Sequence, residues 1–109
     1  MQKKWKSKWI KALTGGGYRQ TRQKLIDRSK ARPSYCCLGV LARVQGAKFN
    51  KHGYAVLGDY INEASGGLYA PLSCGLTDSQ MSELVSMNDG EKKSFKQIAA
   101  WIKKNVKGE

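Results

Sequence analysis

Two adjacent cysteines, Cys36 and Cys37, are the residues of this chain with the clearest potential for chemistry. Cysteines bind metals, form disulfides or act as nucleophiles. A structural zinc site needs four ligands, usually in closely spaced pairs, but the third cysteine, Cys74, and the only histidine, His52, lie far along the chain. Consecutive Cα atoms are about 3.8 Å apart, below the usual disulfide range of about 4.4–6.8 Å. The spacing therefore predicts neither a metal site nor a vicinal disulfide.

The remaining chemical alternative is a cysteine hydrolase. If Ser34 caps a helix, both thiols lie in its first turn, where the helix dipole lowers a thiol pKa, and His52 is the available base. The surrounding run Tyr35–Leu41 is apolar, however, and burial raises a thiol pKa. We therefore expect both cysteines to be small core residues and the protein not to be an enzyme, with the hydrolase kept as a minor alternative.

Positive charge is concentrated in the first half of the chain. Residues 1–54 contain fourteen Lys and Arg and one acid, Asp27, for a net charge of +13, whereas residues 55–109 contain six Lys and seven acids, for −1. Such a field favours anionic partners, namely nucleic acid, nucleotides, acidic protein surfaces or anionic membranes. No apolar stretch approaches the ~20 residues that span a bilayer, and the N-terminus lacks the apolar core of a signal peptide. We expect no membrane partner and, from the odd cysteine number, a reduced cytosolic protein.

A polar stretch in the basic half supplies candidate ligand contacts. As a strand, residues 18–25 would present Tyr18, Gln20, Arg22 and Lys24 on one face, with the last two about 7 Å apart, close to the spacing of successive phosphates. Arg and Lys contact phosphates, Gln donates a hydrogen bond and Tyr offers a stacking surface. No cofactor or metal is expected. The predicted ligand-binding residues are Tyr18, Arg19, Gln20, Arg22, Lys24, Arg28 and Arg32.

Hydrophobic periodicity and capping residues predict the elements that position these side chains. Four helices are expected near residues 3–13, 35–45, 78–87 and 95–106, the second of them buried on most sides and the last two opened by capping boxes at Thr77–Gln80 and Ser94–Gln97. Gly39 would let another element approach the second helix closely.

The helices are expected to pack on a small antiparallel sheet that contains residues 18–25. The segment "GYAVLG" is predicted to form a short strand and "DYINEA" a short helix. The prediction is one α+β domain over residues 1–109. Its expected core residues are Trp9, Leu13, Leu38, Leu41, Leu84, Ile98 and Ile102.

Several motifs at both ends of the chain form a recognisable set: Trp9-Ile10-x-Ala12-Leu13, Tyr18-x-Gln20, Leu25, Tyr35-Cys36-Cys37-Leu38-Gly39-Val40-Leu41, Leu84, Asn88-Asp89, Ser94-Phe95-x-Gln97-Ile98-Ala99 and Trp101-Ile102. This set resembles that of a family of small uncharacterised tailed-phage proteins. The resemblance does not extend to residues 46–75. It implies phage origin and expression in the host cytoplasm, and it supplies no known reaction. The basic first half departs from the more acidic composition of that family.

The resulting hypothesis is a non-catalytic phage accessory protein, by analogy one that acts against host defence. It would bind an anionic ligand, nucleic acid or nucleotide, through its basic half. If the ligand is a nucleotide, the protomers of a homo-oligomer would share the binding site. The alternative is an inhibitor that docks on a host defence protein. Trp5 or Trp9, exposed beside lysines, would anchor that interface.

Overall fold

Four α-helices and six short strands make up residues 1–108, the part of the chain that this computed structural model describes. The predicted α+β class is confirmed. The elements follow in the order α1 (Lys3–Thr14), β1 (Arg19–Gln20), β2 (Ile26–Asp27), β3 (Ser34–Tyr35), α2 (Cys37–Val44), β4 (Lys48–Phe49), β5 (Ala55–Leu57), β6 (Tyr60–Asn62), α3 (Asp78–Val85) and α4 (Phe95–Asn105), with a π-helical turn, Ser86–Gly90, after α3.

Helix α2 lies at the centre of the core, and every residue from Cys37 to Ala42 is buried. Its start differs from the prediction, because Ser34 and Tyr35 form strand β3 and Cys36 is the N-cap. The Cys36 sulfur accepts a hydrogen bond from the Gly39 amide at 3.4 Å. The sequence favoured Ser34 because a hydroxyl is the more usual cap, but pairing within the sheet extends the chain through Tyr35.

Gly39 provides the close approach that its position predicted. A β-carbon built on it would overlap the carbonyl oxygen of Leu25. That carbonyl also accepts a hydrogen bond from the Cys36 amide at 3.2 Å, and the Leu25 side chain is fully buried. The backbone at Leu25 is therefore pressed against the first turn of α2.

The first sheet is mixed rather than antiparallel. Strand β3 lies between the other two strands, parallel to β1 and antiparallel to β2. The strand predicted over residues 18–25 is wrong beyond Gln20. Residues 22–25 bend, and Gln23 adopts a left-handed φ of 71°. The bend carries Leu25 into the core, which breaks the alternation of inward and outward side chains.

The second sheet is an antiparallel meander in the order β4-β5-β6. The strand predicted at "GYAVLG" is present as β5, but the helix predicted at "DYINEA" is wrong. Gly58, with φ 60°, and Asp59 form a two-residue hairpin turn that pairs Leu57 with Tyr60. In the resulting strand the Ile61 side chain faces outward and is 46% exposed.

The two helices of the C-terminal half begin where their capping residues predicted. Both predicted capping boxes are formed, with Thr77 and Gln80 opening α3 and Ser94 and Gln97 opening α4. The helix predicted near residues 78–87 is α3, which ends at Val85 and is continued through Gly90 by the π-helical turn. All seven predicted core residues are buried: Trp9, Leu13, Leu38, Leu41, Leu84, Ile98 and Ile102.

No helix within residues 1–108 combines the length and the apolar character needed to cross a membrane.

Candidate anion-binding site

Gln20, a predicted ligand contact, points into the protein. Its carboxamide nitrogen donates to the Asn88 side-chain oxygen at 2.9 Å and to the Lys93 carbonyl at 2.8 Å. Gln20 is half-buried and pairs across the sheet with the buried Tyr35, so this face of β1 is the inner one. The Gln20 side chain therefore attaches β1 to the C-terminal part of the chain, and its outward neighbour Arg19 takes the exposed position.

Asn88 is the centre of a buried polar network in the π-helical turn. The residue is 1% exposed. Its side-chain oxygen also accepts from the Cys37 amide at 3.3 Å, and its nitrogen donates to the Thr21 carbonyl at 2.9 Å and to Asp89 Oδ1 at 2.8 Å. Buried networks with every member satisfied specify one arrangement of the surrounding backbone. The sequence singled out Asn88 only as part of the Asn88-Asp89 motif, because a single residue offers no pattern from which to find such a set of partners.

Arg22 and Lys24 do not share the strand face that the sequence predicted, because the left-handed residue Gln23 separates them in the bend. Arg22 is half-buried, and its Nη2 donates to the Lys92 carbonyl at 3.4 Å. Lys24 is exposed and lies 3.8 Å from Asp27 in an ion pair. The two cations therefore belong to different local surroundings, and their assignment as ligand contacts stays a prediction.

We call the exposed cations of β1, of the loop between β2 and β3, and of β4 with the turn after it the basic face. Arg19, Ser34 and Asp27 are cross-strand neighbours on the outer side of the first sheet. Arg28 donates to the carbonyls of Phe49, at 3.3 Å, and Asn50, which joins the loop after β2 to the turn between β4 and β5. The basic face consists of Arg19, Arg28, Lys30, Arg32, Lys48 and Lys51, all exposed.

Aromatic rings run between the two sheets next to the basic face. The ring centroids of Tyr18 and Tyr35 are 5.4 Å apart in an edge-to-face pair, and those of Tyr35 and Phe49 are 6.0 Å apart. Tyr35 is buried, whereas Tyr18 and Phe49 are half-buried. The predicted stacking residue Tyr18 thus retains accessible ring surface beside Arg19.

Cys36 and Cys37 are both buried, as predicted. Burial raises the pKa of Cys36 to about 11 and also raises the pKa of Cys37 well above its usual value. Both thiols are therefore protonated at neutral pH, whereas a nucleophilic cysteine needs a lowered pKa. His52 is exposed on the β4–β5 turn, beside Tyr54. Within residues 1–108, no group of three or more His, Cys, Asp or Glu side chains is arranged to hold a metal ion.

A second group of cations lies on α1 and α4, and we call it the lysine surface. Trp9 is fully buried there, and its Nε1 donates to the Cys37 carbonyl at 2.8 Å. Trp5 is half-buried, with the ammonium groups of Lys4 and Lys8 at 4.7 and 5.2 Å from its ring centroid. The lysine surface consists of Lys3, Lys4, Lys8, Lys11, Lys103 and Lys104, all exposed.

The chain belongs to a family described as a domain of unknown function (DUF8296), whose model matches residues 1–55, just over half of the sequence. The matched segment runs from α1 to the first residue of β5 and contains every residue of the basic face. No curated protein and no solved structure matches the chain.

Proposed function

We propose that this protein is a non-catalytic binding protein whose basic N-terminal half contacts an anionic target, a nucleic acid or a nucleotide. The observation that carries the proposal is the anchoring of Arg28 to Phe49 and Asn50. These contacts hold Arg28, in the loop after β2, against the chain between Lys48 and Lys51, next to the half-buried ring of Phe49.

The charge pattern of this region supports the proposal. Asp27 is the only acid among residues 1–54. It accepts a hydrogen bond from the Ser29 amide at 2.9 Å and pairs with Lys24. The hydrogen bonds from Ser29 lower the pKa of Asp27, so its carboxylate stays ionised. That charge is paired with Lys24 and not with a cation of the basic face. The basic face thus keeps its excess of positive charge.

The side-chain types also suit a phosphate-bearing ligand. Three of the six cations of the basic face are arginines, namely Arg19, Arg28 and Arg32. The planar guanidinium group donates two parallel hydrogen bonds to a phosphate, which a lysine cannot do. Half-exposed rings such as Tyr18 supply a surface on which bases stack without sequence preference.

The biological setting follows from the resemblance to tailed-phage proteins. We propose that the protein is a phage accessory protein acting in the host cytoplasm, and that its target belongs to a host defence pathway. In this setting the ligand is a nucleic acid or a signalling nucleotide. This part of the proposal rests on analogy with other small phage proteins and not on the site.

An inhibitor of a host defence protein is the second candidate, and Trp5 is the observation that favours it. Its half-buried ring, flanked by two lysines, has the character of an interface anchor. The other proposed anchor, Trp9, is fully buried and offers no surface to a partner. The inhibitor proposal therefore depends on Trp5 alone.

Equilibrium binding at several salt concentrations tests the proposed function. We expect a fluorescent single-stranded oligonucleotide to bind, with a log–log salt slope of about 0.7 per phosphate contact. A mononucleotide that binds stoichiometrically with a shallow slope would indicate nucleotide capture instead. Absorbance at 260 nm of the purified protein gives an independent check for co-purifying nucleic acid. Absence of binding to oligonucleotide and nucleotide alike at low salt would contradict the proposal.

A further inference from the structure

Arg22 is followed in the chain by one residue with an unusual backbone conformation and is hydrogen-bonded to another. Within residues 1–108, three residues other than glycine have a positive φ: Gln23 at 71°, Lys92 at 54° and Cys74 at 53°. The first directly follows Arg22, and the carbonyl of the second accepts a hydrogen bond from the Arg22 guanidinium. Backbone conformations that are unfavourable for side chains concentrate at binding sites, where the surrounding structure holds them in place.

The guanidinium group of Arg22 forms no ion pair within residues 1–108. The residue is half-buried, and among the described residues its one hydrogen bond is the 3.4 Å contact to the Lys92 carbonyl, while its Nε is buried without a partner. The two nearby acids are otherwise engaged. Asp89 accepts from the Gln23 amide at 2.9 Å and from Asn88, and Glu91 pairs with Lys93 at 3.8 Å. A partly desolvated cation without a partner is unfavourable, and an anion placed against it would relieve that cost.

Lys92, whose backbone carbonyl contacts Arg22, is itself a cationic residue. Its left-handed backbone is one that glycine adopts without steric cost and that a side chain disfavours. The chain nevertheless has an exposed lysine there, on the residue whose carbonyl holds Arg22. Local backbone geometry therefore does not explain the lysine, whereas a role for its charge does.

We propose that Arg22 and Lys92 together bind one phosphate group of the target. The inference rests on the proposed function and deepens it, since it assigns a specific phosphate contact to the second half of the chain, outside the basic face. The guanidinium group supplies directional hydrogen bonds to the phosphate oxygens, and the lysine supplies a point charge. The Asn88 network fixes the two segments relative to each other through Thr21 and Asp89.

Nuclear magnetic resonance of the arginine side chains observes this site directly. We expect the Nε–Hε signal of Arg22 to shift in a saturable manner on addition of inorganic phosphate, a nucleoside monophosphate or an oligonucleotide. It should not shift with the unphosphorylated nucleoside or with chloride at the same ionic strength. A response to inorganic phosphate and the monophosphate but not to the oligonucleotide indicates a phosphomonoester site, and a response to the oligonucleotide alone indicates a phosphodiester of a strand. A response to all three indicates a site that accepts both kinds of phosphate. An Arg22 signal that none of the three moves would overturn the inference.

Two matched glycine substitutions separate binding from folding. Lys92→Gly relieves the backbone and removes the charge, so we expect a higher Tm together with a loss of about tenfold or more in affinity for the phosphate probe that moves the Arg22 signal. Gln23→Gly relieves a neighbouring residue of the same kind without removing a charge, so Tm should rise and affinity should stay unchanged. Unchanged affinity in Lys92→Gly would contradict the inference.

The inference and the proposed function can fail separately. If the oligonucleotide binds with a steep salt slope but the Arg22 signal does not move, the phosphate site is wrong and the proposed function stands. If inorganic phosphate moves the Arg22 signal while no oligonucleotide or nucleotide binds, the phosphate site stands and the proposed function is wrong.

Discussion

The basic face and the lysine surface carry comparable numbers of exposed cations but differ in chemistry and support. The basic face contains three arginines, lies on sheets and loops, and is held by the contacts of Arg28 with backbone carbonyls. The lysine surface contains no arginine and lies on two packed helices, joined by the Lys6 ammonium and the Lys103 carbonyl at 3.3 Å. Two of its lysines cover Trp5.

This difference shows why net charge alone is a weak guide to a binding site. Lysine stems on a helix cover apolar surface and keep the charge in water, so they serve packing and solubility as well as binding. An arginine fixed to carbonyl groups, as Arg28 is, is pre-ordered, and less side-chain freedom is lost when it binds an anion. The comparison therefore favours the basic face as the specific site and assigns a general electrostatic role to the lysine surface.

The largest expected effect comes from Gly39→Ala, which disrupts the packing of the first sheet, and with it the basic face, on α2. The added methyl group meets backbone atoms of Leu25, which cannot move aside as a flexible side chain can. We expect the free energy of unfolding to fall by about 3 kcal/mol. Amide exchange should accelerate most in the first sheet and less in α4, which lacks such a contact with residue 39.

Gly66→Ala is the matched control, because a β-carbon at Gly66 meets no atom within 4 Å. Its unfolding free energy should be nearly that of the wild type. If Gly39→Ala were as stable as this control, the close packing of residue 25 on α2 would be wrong.

Asn88→Ala is expected to have the next largest effect. It leaves Gln20, Thr21 and the Cys37 amide without their partner in a buried region. We expect a loss of about 2 kcal/mol in chemical denaturation. Asn105→Ala, which removes one exposed contact to the Trp101 carbonyl on α4, should cost roughly 0.5 kcal/mol or less. Equal losses of stability in the two variants would contradict the claim that the buried Asn88 network stabilises its region more than the exposed contact stabilises α4.

The N-terminus of α2, where Cys36 is the cap, gives a prediction about how the stability of the protein depends on pH. Burial raises the pKa of Cys36 from 9.0 to about 11. Between these values the unfolded thiol has lost its proton and the folded thiol has kept it, so stability falls as pH rises, by up to about 1.4 kcal/mol per pH unit. Below pH 9 this contribution to stability is fully present.

Cys36→Ser removes that titration and retains a side chain that caps α2. Its unfolding free energy should fall less steeply between pH 9 and 11 than that of the wild type, with a remaining decline from Cys37. Equally steep profiles would contradict the assigned burial of Cys36. Slow alkylation of both thiols in the native protein and rapid alkylation after denaturation would agree with it.

Local sequence signals predicted the helices well and the binding region poorly. Both capping boxes and the apolar stripe with Ile98 and Ile102 depend on residues three or four positions apart, so a single segment contains the whole signal. Strands of two or three residues have too little pattern to recognise, and β1 pairs with a partner fifteen residues later. The turn at Gly58 and Asp59 was a usable hairpin signal that the helical interpretation missed.

The inward direction of Gln20 had no local signal at all. Its partners are Asn88 and Lys93, which lie 68 and 73 positions further along the chain. Without them the alternation of a polar strand can be assigned to either face, and the sequence favoured the wrong one. Arg19 was predicted as a ligand contact in either case, because the prediction depended on its charge and not on its direction.

Matched double substitutions test most directly whether the basic face is the binding site. Arg19→Ala with Arg32→Ala removes two charges from it, and Lys103→Ala with Lys104→Ala removes two from the lysine surface; all four side chains are exposed. The measurement is the affinity for a labelled single-stranded oligonucleotide as a function of salt. We predict that the arginine variant binds more weakly, with a log–log slope reduced by about 1.4, while the lysine variant keeps the wild-type slope. An equal or larger loss in the lysine variant would contradict the account.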